Sequence, residues 1–177
     1  MPLASRYSDN PTHLLMTDTE KTGCRLIVEC MEAYGIRHVV TSPGSRNAPL
    51  IMAFSRRNAF KVHSVIDERS AAFIALGIAE ITGDPVALVC TSGTAVLNYS
   101  PALAEAFYRN LPLIAISADR PVEWIDQNDS QTIRQAGALS NIVRKSIDIR
   151  AELFSEEEIW YANRILRACL KTNVNNK

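Results

Sequence analysis

Four short stretches bring chemistry-bearing side chains to the ends of strands, three of them where a strand gives way to a helix. In Asp67-Glu68-Arg69-Ser70-Ala71-Ala72, Asp67 is placed to cap a helix by accepting a backbone N–H bond. Glu68 then falls in the first helical turn, where a carboxylate is either a structural cap or a functional acid. Taken alone, the stretch favours the cap. In Ser42-Pro43-Gly44-Ser45-Arg46-Asn47, backbone N–H groups, the Ser45 hydroxyl and the Arg46 guanidinium suit a carboxylate or a phosphate. An ordinary Pro-Gly turn with a solvated arginine accounts for that stretch equally well. Thr91-Ser92-Gly93-Thr94 would let a ligand ring approach closely, and Asp119-Arg120-Pro121 is either a salt-bridged turn or a substrate contact. No GxGxxG, GxxxxGK[ST] or GxSxG pattern occurs, so a dinucleotide fold, a P-loop and a hydrolase elbow are unsupported. His13, His38 and His63 are scattered without ligand spacing, and each reads as structural or exposed. Trp124 and Trp160 read as packing or loop anchors.

The elements that must position these stretches alternate along the chain. Thr17 and Glu20 have capping-box spacing, and Leu26, Ile27, Cys30, Met31 and Tyr34 mark one helix face. A short strand over 37–41 leads into the Ser42 turn. A helix follows from Ala48-Pro49 to about Arg57, with Pro49 in its first turn. Lys61 to Ile66 reads as a buried strand. The helix after it, to about Thr82, is apolar on nearly every face and is expected to be buried on several sides. Val86 to Cys90 is a continuous apolar strand, as in a sheet covered on both faces. A helix over 95–109 carries Pro101 as a break, and Leu113 to Ser117 is a fourth strand. Val122 to Asn141 is a long polar loop, of a length that is often functional. Val143 to Ile149 is a further strand candidate, and Ser155 with Glu158 opens a last helix. This order predicts an α/β fold: an open, mostly parallel sheet with helices on both faces. The strand ends then place all four stretches on one rim.

Bulk properties narrow the class. The chain has 177 residues, of which 47% are hydrophobic, enough for one core-bearing domain. Lys+Arg and Asp+Glu are 19 each, a balance that argues against nucleic acid or an anionic membrane as the main partner. Cys24, Cys30, Cys90 and Cys169 have no metal spacing and read as buried thiols of a cytoplasmic protein. No apolar run has the length of a membrane span. Residues 1–18 read as a loose arm, 19–172 as the domain and 173–177 as a frayed tail.

Taken together, the rim residues resemble the pyrimidine-binding (Pyr) domain of thiamine-diphosphate enzymes. Within that group they resemble most the 2-succinyl-5-enolpyruvyl-6-hydroxy-3-cyclohexene-1-carboxylate synthase family of menaquinone biosynthesis. The resemblance rests on Ser42-Pro43-Gly44-Ser45-Arg46-Asn47-Ala48-Pro49-Leu50, Asp67-Glu68-Arg69-Ser70-Ala71-Ala72-Phe73, Thr91-Ser92-Gly93-Thr94-Ala95, Ala118-Asp119-Arg120-Pro121 and Gln131-Thr132-Ile133-Arg134-Gln135, in the family's order.

The resemblance implies that Glu68 is catalytic. In the family the matching glutamate hydrogen-bonds N1′ of the aminopyrimidine, favouring the tautomer whose nitrogen takes the proton from thiazolium C2. Gln131 matches an active-site glutamine. Ser45, Arg46, Arg120 and Gln131 would contact substrate, and Pro43, Thr91, Gly93 and Asn98 would line the pyrimidine pocket. The implied reaction decarboxylates 2-oxoglutarate and adds the succinyl carbanion equivalent to isochorismate. The implied metal, Mg2+ or Mn2+, is held by a second domain with a GDG signature. This chain carries no Gly-Asp-Gly, so the resemblance implies a fragment that needs the diphosphate-binding domain of a second subunit, within a homo-oligomer, and is inactive alone. Two other readings stay open: another thiamine-dependent 2-oxoacid decarboxylase of the acetolactate-synthase type, or a non-catalytic anion-binding or interaction domain.

Overall fold

The computed structural model describes residues 19–174. The elements run in chain order as α1 (Thr22–Ala33), β1 (His38–Thr41), α2 (Ala48–Ser55), β2 (Lys61–Ser64), α3 (Glu68–Thr82), β3 (Val86–Cys90), α4 (Thr94–Asn98), α5 (Ser100–Arg109), β4 (Leu113–Ser117) and α6 (Glu156–Val174). The four strands are all parallel, in the order β2-β1-β3-β4.

Alternation along the strands divides the core in two. Val39, Ala87 and Val89 face a layer built by α1, α2 and α6, which contributes Val28, Met31, Phe54, Leu166 and Leu170. Val40, Val86, Leu88 and Cys90 face the layer of α3, α4 and α5, which contributes Ala71, Ala75, Ala79, Tyr99 and Ala102. The alanines let α3 lie close on the sheet. Asp67 caps that helix, its Oδ1 accepting from Ser70 N–H at 2.7 Å. The Ser155–Glu158 box forms reciprocally: Ser155 Oγ accepts from Glu158 N–H at 3.1 Å, and Glu158 Oε2 accepts from Ser155 N–H at 3.3 Å.

Several expectations need correction. The strand over 61–66 is not buried: among the described residues β2 is an edge strand, paired only with β1, and Lys61 and Ser64 are exposed. Helix α3 is buried on one face only, leaving Phe73 (44%), Ile74 (43%) and Ile81 (87%) exposed. The capping box at Thr17 and Glu20 does not start α1. Its N-cap is Lys21, with no side-chain cap, and Thr17 lies outside the described residues. The helix predicted over 95–109 does break, but at Tyr99 instead of Pro101, which falls in the first turn of α5. The stretch 143–149 forms no strand, although Ile147 and Ile149 pack on the core. Helix α6 continues to Val174, and residues 1–18 and 175–177 lie outside the described residues.

Candidate functional site

The strand order fixes where a ligand can enter. From β1 the chain moves outward to β2, then crosses back over β1 to β3. The order therefore reverses between β1 and β3, and in open α/β sheets ligands bind at that reversal, beyond the carboxyl ends of the strands. The Ser42 and Thr91 loops follow these two strands directly. Ser42 N–H donates to the Val89 carbonyl at 2.9 Å and ties one loop to the other strand. The loops touch: a Cβ on Gly44 would stand 2.5 Å from the Thr91 Cβ, so only glycine allows this approach. Asn47, fully buried, donates from Nδ2 to the Ser42 carbonyl at 2.8 Å and closes the first loop before α2.

Beneath the loops lies a set of buried polar atoms without hydrogen-bond partners among the described residues: Ser42 Oγ, Asn47 Oδ1, Thr91 Oγ1 and the Tyr99 hydroxyl. Tyr99, from the α4–α5 break, lies against the Cys90 thiol and the Ser42 hydroxyl without a well-formed bond to either. The Ser42 and Tyr99 hydroxyls face each other, while Asn47 Oδ1 and Thr91 Oγ1 have no such neighbour among the described residues, and an unsatisfied buried polar atom costs about 1–3 kcal/mol. Burial pushes the Cys90 thiol up to about 12, against the Tyr99 hydroxyl and helped by the Glu68 charge. Burial, Cys90 and Glu68 likewise push the Tyr99 phenol upward. Glu68 thus stands within electrostatic reach of this floor. It is half-buried in the first turn of α3, and its carboxylate has no hydrogen-bond partner among the described residues.

The opposite wall is the loop after β4. Arg46 Nη1 donates to Gln131 Oε1 at 2.5 Å. Gln131 itself is left-handed (φ 55°) and its backbone lies on Gly93 (φ 79°), whose missing Cβ would be 2.9 Å from Gln131 Cα. Ser92 Oγ donates to the Gln131 carbonyl at 2.7 Å. Asp119 carries a carboxyl held above the usual range, chiefly by partial burial and further by Asp148. Its bond from Arg120 N–H and the Arg46 charge pull the other way.

Of the residues singled out from sequence, Arg46 and Gln131 meet directly, and Thr91 and Gly93 form the adjoining turn. Pro43 and Ser45 are exposed on the first loop. Arg120 is turned toward its own loop, paired with Asp129 at 2.5 Å and lying over the Trp124 ring. Asn98 is exposed on α4, its Nδ2 donating to the Thr94 carbonyl at 3.0 Å. Sequence reasoning missed Tyr99, Asn47 and Gln135, although Gln135 closes one of the motifs noted above. It also missed a pair outside the site. His38 and His63 are not scattered: parallel pairing of β1 and β2 brings Nδ1 of one within 3.1 Å of Nε2 of the other, with the rings stacked.

The fold and the rim now stand beside what is known of other proteins. Residues 21–138 match the family model of the thiamine pyrophosphate enzyme, N-terminal TPP binding domain. The chain belongs to the thiamine pyrophosphate enzyme family. Among curated relatives, it is 54% identical over 152 residues to a 2-succinyl-5-enolpyruvyl-6-hydroxy-3-cyclohexene-1-carboxylate synthase of Porphyromonas gingivalis, covering 86% of this chain and 26% of the relative. A synthase of the same name from Bacteroides thetaiotaomicron is 46% identical over 160 residues, covering 90% of this chain and 29% of the relative. Another from Flavobacterium psychrophilum is 56% identical over 115 residues, covering 65% and 21%. The chain therefore spans about a quarter of the length of the curated relatives it matches.

The orphaned hydroxyls, the Gly44–Thr91 contact and the unpartnered Glu68 carboxylate fit an aminopyrimidine, which presents donors and acceptors on a flat ring. Among the described residues, no group of three or more His, Cys, Asp or Glu is placed to hold a metal ion. Nor is any helix there long and apolar enough to cross a membrane.

Proposed function

We propose that this domain is the cofactor-activating part of a cytoplasmic transferase of menaquinone biosynthesis that decarboxylates 2-oxoglutarate and adds the succinyl carbanion equivalent to isochorismate. The observation that carries the reading is the half-buried, unpartnered Glu68 carboxylate beside the orphaned hydroxyls at the sheet's reversal point, in a chain with relatives bearing the synthase name. Thiamine diphosphate, when bound, supplies the carbanion chemistry at its thiazolium C2. Glu68 would hydrogen-bond the aminopyrimidine N1′, while Pro43, Thr91, Gly93 and Asn98 would line the ring. Both substrates carry carboxylates. Arg46 and Ser45 bind one of them from the rim, Gln131 orients the acceptor, and Arg120 joins them if it leaves Asp129.

Residues 19–172 are the Pyr domain in this reading. Mg2+ or Mn2+ and the diphosphate are held by the diphosphate-binding domain of a second subunit. The exposed apolar face of α3, which starts at Glu68, supports a homo-oligomer. Four thiols without disulfide partners accord with a reducing compartment. The test is turnover by the complete protein that carries this chain. Carbon dioxide release from 2-oxoglutarate with isochorismate consumption is expected. Preference for pyruvate would replace the reading with a carboligase of the acetolactate-synthase type, and no turnover would favour a non-catalytic domain.

A further inference from the structure

We propose that Gln135 is a positioning residue that holds Gln131 and Arg46 in their working geometry. The inference rests on the reading of Gln131 as a substrate-facing residue. Gln135 is half-buried, and its side-chain amide makes three bonds to two different segments. Its Oε1 accepts from Gly93 N–H at 3.0 Å, in the turn after β3. Its Nε2 donates to Ser117 Oγ and to the Ala118 carbonyl, both at 2.9 Å, at the end of β4. The amide therefore brackets the ends of two neighbouring strands and fastens its own loop to both.

What the bracket holds is strained. Gln131 sits at φ 55°, a conformation costing an ordinary residue something that the surroundings must offset. Two contacts oppose its relaxation. Ser92 Oγ donates to the Gln131 carbonyl, and the Gln131 backbone is seated on Gly93, whose N–H is the group that Gln135 fixes. Gly93 is buried, so without Gln135 its N–H has no partner among those described. The turn then has every reason to rearrange. Arg46 would be released with it, because its bond to Gln131 Oε1 depends on where that loop lies. Gln135 points at neither Arg46 nor the orphaned hydroxyls, and it reaches the site through Gly93, which the proposed function also sets against the cofactor ring.

The chemistry of the amide makes the substitution series informative. Gln135→Ala removes all three bonds. Gln135→Glu keeps the acceptor for Gly93 N–H, but sets a carboxylate oxygen against the Ala118 carbonyl. Protonation of that carboxyl restores a donor. The variant should therefore recover as pH falls, which loss of packing alone would not produce.

The experiment uses the complete protein that carries this chain. Without cofactor or substrate, hydrogen exchange at the Gly93 amide should be at least about tenfold faster in Gln135→Ala, the bond being lost. With 2-oxoglutarate and isochorismate, kcat should fall about 100-fold, as expected of a misplaced substrate-facing group. In Gln135→Glu the ratio of its kcat to that of the parent should rise toward acid pH. Unchanged Gly93 exchange, a kcat like the parent's, or a pH-independent Gln135→Glu would each overturn the proposal. Failure of the unsubstituted protein to turn over these substrates would instead defeat the substrate reading. The exchange measurement would still decide whether the bracket exists.

Discussion

Replacing Gly93 by alanine tests the seating of the Gln131 loop, and the cost can be worked out in two parts. Gly93 lies at φ 79°, ψ −138°, outside the left-handed helical region and near one open essentially to glycine alone, where a side chain strains the backbone by about 1–3 kcal/mol. The new methyl would also stand 2.9 Å from Cα and C of Gln131 and 3.0 Å from its oxygen. Those are backbone atoms, held by the Ser92 bond, and they cannot rotate aside as a side-chain tip would. Overpacking of this kind costs about 1–3 kcal/mol more. The sum is about 2–6 kcal/mol. Gly83 supplies the internal control. It too has positive φ (70°, ψ 5°), at the end of α3, but a Cβ there meets nothing within 4 Å. Gly83→Ala should therefore lose only the backbone part, about 1–2 kcal/mol. The loss of unfolded-state freedom is common to both and cancels. Urea denaturation of the two variants, with equal m-values, gives the difference directly. Gly93→Ala should be the less stable by about 1–4 kcal/mol, from the steric clash and its less favourable backbone region together. If it were no less stable than Gly83→Ala, the loop would not be seated on Gly93, and the arrangement of Gln131 would be wrong.

Two further expectations concern groups away from the rim chemistry and beneath it. His38 is held below the ordinary imidazole value of 6.5 by burial first, then by His63 and Lys61, with Asp84 opposing. The folded state thus binds fewer protons than the unfolded one in this range, so its stability is fully present above 6.5 and declines as pH falls from there to the depressed folded value. Denaturation midpoints across this window should show that decline, and His63→Gln should make it shallower. An unchanged slope would contradict the pairing. The Cys90 thiol, buried and pushed up to about 12, should stay unlabelled by a thiol reagent at mildly alkaline pH until the protein unfolds in urea. Labelling of native Cys90 at the rate of a free thiol would show the floor of the site to be open.

Local signals in the sequence carried much of the fold. The continuous apolar run Val86–Cys90 formed β3, the Asp67 cap started α3 one residue later, and the Ser155–Glu158 box opened α6. Strand order was not local. Nothing within Lys61–Ser64 says that β2 lies at the edge, so its exposure came only with the pairing. For the same reason His38 and His63, distant in sequence, met only through the register of two parallel strands. The apolar character of α3 was read as burial, whereas one face is left uncovered in this chain by itself. The stretch 143–149 has strand-like composition, but composition cannot supply the pairing that defines a strand. At the site, the convergence of loops followed from the alternation of elements. The bracket by Gln135 joins turns with positive φ at Gly93 and Gln131, and the hydroxyl cluster forms where the helix breaks at Tyr99; spacing encodes neither.

The most direct test of the account is exchange of the C2 proton of thiamine diphosphate bound to the complete protein, compared between the parent and Glu68→Gln. If Glu68 activates the cofactor, the substitution should slow exchange by at least about 100-fold, the scale of a lost acid–base group, with the cofactor still bound. Exchange at near the parent rate in the loaded variant would contradict the central claim and return Glu68 to the role of a residue in the first turn of a helix.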